Sequence, residues 1–378
     1  MDAQATAKIP RPFMQMPDPR RANRRHKLID ILTIALFAVV CGADGWVGVA
    51  QYAKAKFDWL KTFLELPHGI PAHDTFGDVF ARLNPEAFER CFREWMASMV
   101  QLAGGKLVAI DGKSLRRSFE HGWDKSGMAH MVSAFVEVNH MVFAQVKTEG
   151  KGQELSAIHK LLEVLDLEGA TVTIDALGCQ KEVAQQILDA HGQYILQAKD
   201  NQPTLLAKLQ VTLDDAILDN FAGLSSDYYE QTDGDHGRIE TRKLWVCWDV
   251  QLLGELARQW PGLKSMIVIE RTRELNGQIS TERHYYISSL DRRTKAKRMA
   301  GYIRGHWSVE NNLHWQLDVS FREDERRIRT GHGAENFSRL CRMALNLLKN
   351  EKTQKTGIAI KRQNCGWDND YLLKVILT

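Results

Sequence analysis

Apolar positions recur with two periods along this chain, and the change between them divides it. From Leu28 onward they fall at helical spacing. Leu28–Cys41 predicts one helix, which Gly42-Ala43-Asp44-Gly45 breaks, and Trp46–Leu64 predicts a second. Pro71-Ala72-His73-Asp74-Thr75-Phe76 predicts a turn, with Asp74 or Thr75 as N-cap of a third helix. Pro85–Leu102 predicts a fourth. Gly104-Gly105 marks a boundary, after which the apolar runs become short and β-branched. Leu107–Asp111, Thr171–Asp175 and Tyr194–Ala198 predict strands. His130–Val138 and Met141–Lys147 predict a hairpin turning at Asn139-His140. Leu155–Leu165 and Lys181–Ala190 predict helices between the later strands.

Three antiparallel strands followed by helix, strand, helix, strand is the order of the ribonuclease H fold. That order sets the first and fourth strands side by side, which brings Asp111 and Asp175 together. The series is then interrupted. Far more chain separates Asp175 from Glu310 than one helix and one strand need, and Arg242–Trp248, Met266–Glu270 and His284–Ser288 carry β propensity. The expected fold is therefore α/β: a ribonuclease H-like (retroviral integrase-like) core interrupted by a β-rich insertion, with an N-terminal helical domain. Residues 1–27 read as a flexible basic arm, since Pro10, Pro12, Pro17 and Pro19 exclude a long helix. Residues 28–103 form the helical domain, a module for DNA binding or for dimerisation, without a helix-turn-helix signature. The core occupies 104–204 and 291–350, the insertion 205–290 and a C-terminal tail 351–378. Near the end of the core, Phe337, Leu340, Met343, Ala344 and Leu347 line one face of an amphipathic helix over 336–349.

Composition changes this picture little. A chain of 378 residues with 44% hydrophobic and 26% charged residues can bury a sizeable core. The net charge of +3 is weak evidence for a polyanionic partner, but its distribution is uneven. Lys8, Arg11, Arg20, Arg21, Arg24, Arg25 and Lys27 face a single acid, Asp18, over 8–27. Arg292, Arg293, Lys295, Lys297, Arg298 and Arg304 have none among them. Such segments suit a polyphosphate, or else a solvated surface. The six cysteines are scattered, which fits a reducing compartment and no zinc ribbon. The most apolar stretch, Leu28–Cys41, is shorter than the roughly 20 residues of a membrane span. The start Met1-Asp2-Ala3-Gln4 lacks the form of a signal peptide. The expected location is cytoplasmic, nucleoid-associated when bound to DNA, with no membrane.

The candidate chemistry lies in three carboxylates. Asp111 and Asp175 each end an apolar run, which places them at strand tips; each alone reads equally as a turn residue or helix cap. Glu310 lies in the segment Arg304 to Asp318, with His306, Trp307, Asn311 and His314. On a helix, His306, Glu310 and His314 share one face, and Trp307 and Trp315 are expected to be buried or stacked. No His-Glu-x-x-His spacing suggests a zinc protease. Two strand-tip aspartates and a helical glutamate can hold two divalent metals about 4 Å apart for phosphodiester chemistry. Hard carboxylates favour Mg²⁺, with Mn²⁺ as substitute. Lys199-Asp200-Asn201-Gln202 and His236-Gly237-Arg238 offer polar groups suited to phosphate, or solvated loops. The expected DNA contacts are Lys199, Asn201, Arg238, Arg304, His306, Asn311 and His314.

In Val108-Ala109-Ile110-Asp111-Gly112-Lys113, Thr173-Ile174-Asp175-Ala176, His306-Trp307-Ser308-Val309-Glu310-Asn311, Leu313-His314-Trp315-Gln316-Leu317-Asp318-Val319 and Phe321-Arg322-Glu323-Asp324, the chain resembles the DDE transposases of bacterial insertion sequences, in the branch that includes the H-repeat-associated proteins found with Rhs elements. The resemblance runs from about Arg25 to Lys349. It implies catalytic, metal-binding roles for Asp111, Asp175 and Glu310, and strand cleavage and transfer at the ends of a mobile element. Duplex DNA, as terminal repeats and target, is the implied partner, with a homodimer pairing two ends. Wider relatives carry a Tyr, Arg, Glu, Lys signature; here Ile303, His306 and Leu317 stand at the other three positions, with Tyr302, Arg304 and His314 nearby. Those relatives hold a flipped base with an insertion-domain tryptophan, for which Trp245 and Trp248 are candidates by location. A nuclease without strand transfer and a catalytically inactive DNA-binding descendant remain as alternatives.

Overall fold

In the computed structural model, nine strands form among the described residues: β1 (Leu107–Ser114), β2 (His130–Val136), β3 (Met141–Lys147), β4 (Thr171–Ile174), β5 (Gln193–Ala198), β6 (Ser226–Asp235), β7 (Arg238–Cys247), β8 (Ser265–Leu275) and β9 (Gln278–Ser288). The residues described are 11–21, 24–99, 106–119, 128–137, 140–148, 150, 152–235 and 238–377. The expected boundary at Gly104-Gly105, the turn residue Asn139, the pair His236-Gly237 and the first ten residues of the arm lie outside them. The fold is mixed α/β with a large sheet and a helical N-terminal region. The chain divides into two units: one of Ala103–Asp111 and Ile158–Val309, the other of Met1–Leu102, Gly112–Ala157 and Glu310–Thr378.

The first is a sheet unit, with strands in the order β1-β4-β5-β9-β8-β7-β6. β1, β4 and β5 run parallel, with Val108 opposite Val172 and Val172 opposite Tyr194. Every residue of β4 is buried, as expected of a parallel strand covered on both faces. β9 joins β5 antiparallel, Ala198 facing Tyr285, and β6 to β9 follow as a meander. The β-rich stretch therefore continues the sheet rather than forming a layer of its own. Its strands are longer than their β propensity predicts, and β6 was not predicted at all. Ser226–Asp235 is almost entirely polar and becomes a strand through ten residue pairs with β7. Directly paired residues share a face. The row Tyr229, Leu244, Ile269, His284 faces the helix Ala296–Val309, whose Met299 and Ile303 share a core with Leu244, Ile267 and Tyr286. The alternate row Tyr228, Trp245, Val268, Tyr285 faces the helix Pro203–Leu218, where the Tyr285 hydroxyl donates to Asp214 at 2.8 Å.

The second is mainly helical and centres on Gly333–Asn350. Its predicted apolar face is present, but its polar face is buried too. Arg342 Nη1 donates to Glu323 Oε1 at 2.7 Å, Arg339 Nε to Glu89 Oε2 at 2.9 Å, and Asn346 Nδ2 to the Val142 carbonyl of β3 at 2.7 Å. Paired in this way, buried charges are tolerated. The N-terminal helices are Leu28–Val40, Trp46–Ala55, Phe57–Leu60, His73–Arg82 and Pro85–Met99. The second predicted helix is split at Lys56. The described parts of the arm and the tail carry structure of their own. Where it is described, the arm is tied down: Arg11–Met14 is a helical turn and buried Phe13 meets Phe88 edge-on at 5.6 Å. The tail holds two helices, Ile358–Trp367 and Asn369–Leu377, with Tyr371 bonded to Glu351 at 2.9 Å. Among the described residues no helix is long and apolar enough to cross a membrane.

Candidate active site

The register of β1 on β4 sets the first part of the site. Ile110 lies opposite Ile174, so Asp111 and Asp175 come next in register on adjacent parallel strands; Asp175 follows the end of β4, whereas Asp111, expected at a strand tip, lies within β1, which runs on to Ser114. Strand spacing alone puts their backbones about 4.8 Å apart. Asp175 caps the 3-10 turn Ala176–Gly178, accepting from the Leu177 N–H at 3.1 Å. The turn folds back so tightly that a Cβ on Gly178 would lie 2.3 Å from Ile174 Cγ2, which restricts that position to glycine. Asn201 Nδ2 donates to the Ala176 carbonyl at 2.6 Å, and Gln202 Nε2 to the Cys179 carbonyl at 3.0 Å. The loop after β5 is thus laced to the loop after Asp175, and Asn201 serves that turn. Lys199, beside it, is exposed. His306 reaches the same strand, its Nδ1 3.2 Å from Thr173 Oγ1. Burial holds its pKa down to about 4, against the opposing pull of the Asp175 carboxylate, so the imidazole is neutral at pH 7.

One turn away, between the helix Ala296–Val309 and the sheet, lies a cavity of about 310 Å³. Arg242, Arg271, Lys297 and Arg304 line it together with Tyr229, Tyr286 and Trp307. Asp233 and buried Glu240 hold the cations in place. Arg304 Nη2 lies 3.2 Å from Asp233, Arg242 Nη1 lies 2.7 Å from it, and Arg271 Nε lies 2.5 Å from Glu240. Arg238 also pairs with Glu240. Trp307, 49% exposed and edge-on to His306 at 5.8 Å, is the tryptophan of this cavity. Both tryptophans are expected from the sequence to be buried or stacked; Trp307 is edge-on yet half exposed, and Trp315 is 53% exposed. Trp245 lies on the opposite sheet face against Tyr228, ring centroids 5.2 Å apart. Trp248 sits under Lys295, its indole nitrogen buried without a hydrogen bond among the described residues.

In the helical unit, Glu310 opens a change of helix type. Glu310–His314 and Gln316–Ser320 are π-helical, whereas the sequence suggested an unbroken α-helix. His314 Nδ1 lies 3.6 Å from Glu310 Oε2. Glu310 and Asn311 are exposed, and His314 is buried. Ile303 and Leu317 are buried apolar residues, so neither supplies a polar group where wider relatives have Tyr and Lys. The lysine of the Asp-Gly-Lys run was not singled out: Lys113 Nζ donates to both oxygens of Asp318, at 2.7 and 2.8 Å.

The family model for the transposase DDE domain matches residues 103–347, a span that holds all three carboxylates, and the model for its associated N-terminal region matches 11–96. The chain belongs to the DDE transposase family. It is 39% identical over 365 residues to "Putative transposase YncI" of Escherichia coli O157:H7, covering 96% of this chain and 92% of that one. It is 37% identical over 369 residues to "H repeat-associated putative transposase YhhI" of Escherichia coli K12, covering 96% and 95%. A solved structure, the piggyBac transposase synaptic complex with hairpin DNA, matches at 12% identity and a TM-score of 0.40, covering 98% of this chain and 77% of that one. A likeness that slight carries no argument. Enzymes of the DDE family typically use a divalent metal ion, and carboxylates next in register on adjacent parallel strands are hard oxygen donors of the kind that suit one.

Proposed function

We propose that this DDE transposase cuts DNA strands at the ends of an insertion-sequence element and joins them to a target, using Asp111, Asp175 and Glu310 on a ribonuclease H-like core. The observation that carries the reading is the β1–β4 register, which sets the two aspartates next in register on neighbouring strands. The third ligand, Glu310, rests on the resemblance of its segment to those transposases, and the matched domain spans it. Two Mg²⁺ ions, or Mn²⁺ in their place, would activate the attacking oxygen and stabilise the leaving one. The protein's own part is to hold carboxylates at fixed spacing and to grip the DNA. Asp175 is fixed by its cap, and Asn201 fixes the turn behind it. Neutral His306, anchored on Thr173, orients the helix that leads to Glu310. Lys199, Arg238 and Arg304 contact phosphates, and Asn311 and His314 position the strand beside Glu310. Trp307, rather than Trp245 or Trp248, has the exposure and cationic surroundings to stack on a nucleotide. Duplex DNA is the partner, and two copies of the chain pair two ends.

The test is cleavage of labelled duplex carrying the repeats that flank this gene, with Mg²⁺ or Mn²⁺, followed by joining of pre-cut ends to a plasmid. Metal-dependent cuts at the repeat boundary and joined products are expected. Cuts without joining would reduce the protein to a nuclease; binding without cuts would make it an inactive descendant.

A further inference from the structure

The segment that starts at Glu310 makes two π-helical turns in succession. Such turns are uncommon, occur mostly as single bulges, and cluster at functional sites. Two in a row need something to hold them. Three cations from three distant parts of the helical unit end on this segment. Lys349 Nζ donates to the Asn312 carbonyl at 2.5 Å, to the His140 carbonyl at 2.8 Å, and lies 5.3 Å from the Phe135 ring centroid. Lys113 Nζ takes both oxygens of Asp318, with Asp324 at 3.8 Å; Arg116 holds Asp324 in turn at 3.1 Å. Arg362 donates to the Ser320 carbonyl, stacks over Phe321 at 4.1 Å and reaches the Val39 carbonyl at 2.9 Å. The contacts fall at the start, middle and end of the segment.

We infer that Lys113, Lys349 and Arg362 are positioning residues that clamp the π-helical segment 310–320 and so fix Glu310 for metal binding. The inference rests on the metal-ligand role proposed for Glu310. All three side chains are largely buried and point inward, so solvent contact or DNA binding does not account for them. The Lys113 and Arg362 contacts are charge-assisted, the strong kind, while Lys349, whose pKa burial lowers to about 7, donates to two carbonyls with or without its charge; in a dry setting such bonds hold geometry as well as energy. Lys349 and Arg362 lie beyond residue 347, where the transposase-domain match ends. The C-terminal helices would thus belong to the active centre's support. The Leu317-Asp318 and Glu323-Asp324 runs gain a role as well: Asp318 and Asp324 are the anions that receive the lysine two residues after Asp111.

The experiment uses the full chain and the variants Lys349→Met, Lys113→Met and Lys113→Arg. Hydrogen–deuterium exchange is followed in peptides covering 310–320, and Mn²⁺ affinity by electron paramagnetic resonance. Loss of a supporting partner typically weakens a metal site about 10- to 100-fold. Both Met variants should exchange faster in 310–320 while β4 and β5 stay protected, and should bind Mn²⁺ at least about tenfold more weakly. Lys113→Arg should recover most of the affinity. Unchanged exchange in 310–320, unchanged Mn²⁺ affinity, or no Mn²⁺ binding by the wild type would each overturn the clamp. A wild type that shows the clamp effect on Mn²⁺ but cuts no DNA would leave the clamp standing and remove the transposase activity instead.

Discussion

Asp175 has two jobs, and two substitutions separate them. Its carboxylate accepts from the Leu177 N–H at 3.1 Å and so caps the turn that follows β4. It is also a proposed metal ligand. Asparagine keeps an oxygen for the cap but lacks the charge, whereas alanine lacks both. Asp175→Asn should therefore stay within about 0.5 kcal/mol of wild-type stability, and Asp175→Ala should lose about 1 kcal/mol, the usual worth of a cap. Activity should not follow that difference. A carboxylate that holds a catalytic metal supports several kcal/mol of transition-state stabilisation. At about 1.4 kcal/mol per factor of ten, a loss near 4 kcal/mol lowers cleavage on the order of 10³-fold in both variants. DNA affinity should hold or rise slightly, since an anion has left a phosphate-binding surface. The assays are urea unfolding, single-turnover cleavage of end-labelled repeat DNA with Mn²⁺, and a gel shift in EDTA. Cleavage by Asp175→Asn within tenfold of wild type would refute the metal-ligand role. Equal stability loss in both variants would refute the cap.

Four other outcomes are expected. Gly178→Ala places a Cβ 2.3 Å from Ile174 Cγ2, and overpacking of that kind should cost about 1–3 kcal/mol in urea unfolding; a neutral result would mean the turn relaxes. Arg342→Met strands buried Glu323 and should cost about 3–5 kcal/mol, while Arg342→Met combined with Glu323→Leu should cost much less; an additive double-mutant cycle would contradict the pair. Burial, aided by Lys352, lowers Lys349 from its ordinary value of 10.5 to about 7. Between those values the unfolded chain binds more protons than the folded one, so this contribution to stability grows as pH rises and is lost as pH falls to about 7. Wild type should gain stability over Lys349→Met across that window, and parallel pH curves would refute the shift. Arg304→Ala and Lys199→Ala should each flatten the salt dependence of DNA affinity by about one unit of slope, and an unchanged slope would take the residue off the phosphate path.

What the sequence discloses about this chain follows from how far each interaction reaches. The pairing of the runs before Asp111 and Asp175 is legible because a short β-branched run is a local signal, but the continuation of β1 past Asp111 to Ser114 is not. β6 is illegible because its mostly polar residues become a strand only through β7. The helix Gly333–Asn350 shows its apolar face openly, but nothing local says that its polar face is buried as well. Arg339 needs Glu89, 250 residues away, and Asn346 needs Val142, 204 away. The same reach hides the π-turns. A helical pattern from Arg304 to Asp318 predicts α geometry, and the side chains that pull it wider come from residue 113 and from beyond residue 347. Trp245 and Trp307 make the point at shorter range. Strand alternation sends Trp245 to the face covered by Pro203–Leu218, and helix phase puts Trp307 into the cationic cavity. Trp307 is therefore proposed over Trp245 for that contact, because face, not proximity to a motif, decides which ring can meet a nucleotide. The ligand types of this site are therefore written locally, while the geometry that would make them a metal centre is written in long-range pairs. A copy of the element could keep all three carboxylates and still lose activity through Lys113, Lys349 or Arg362.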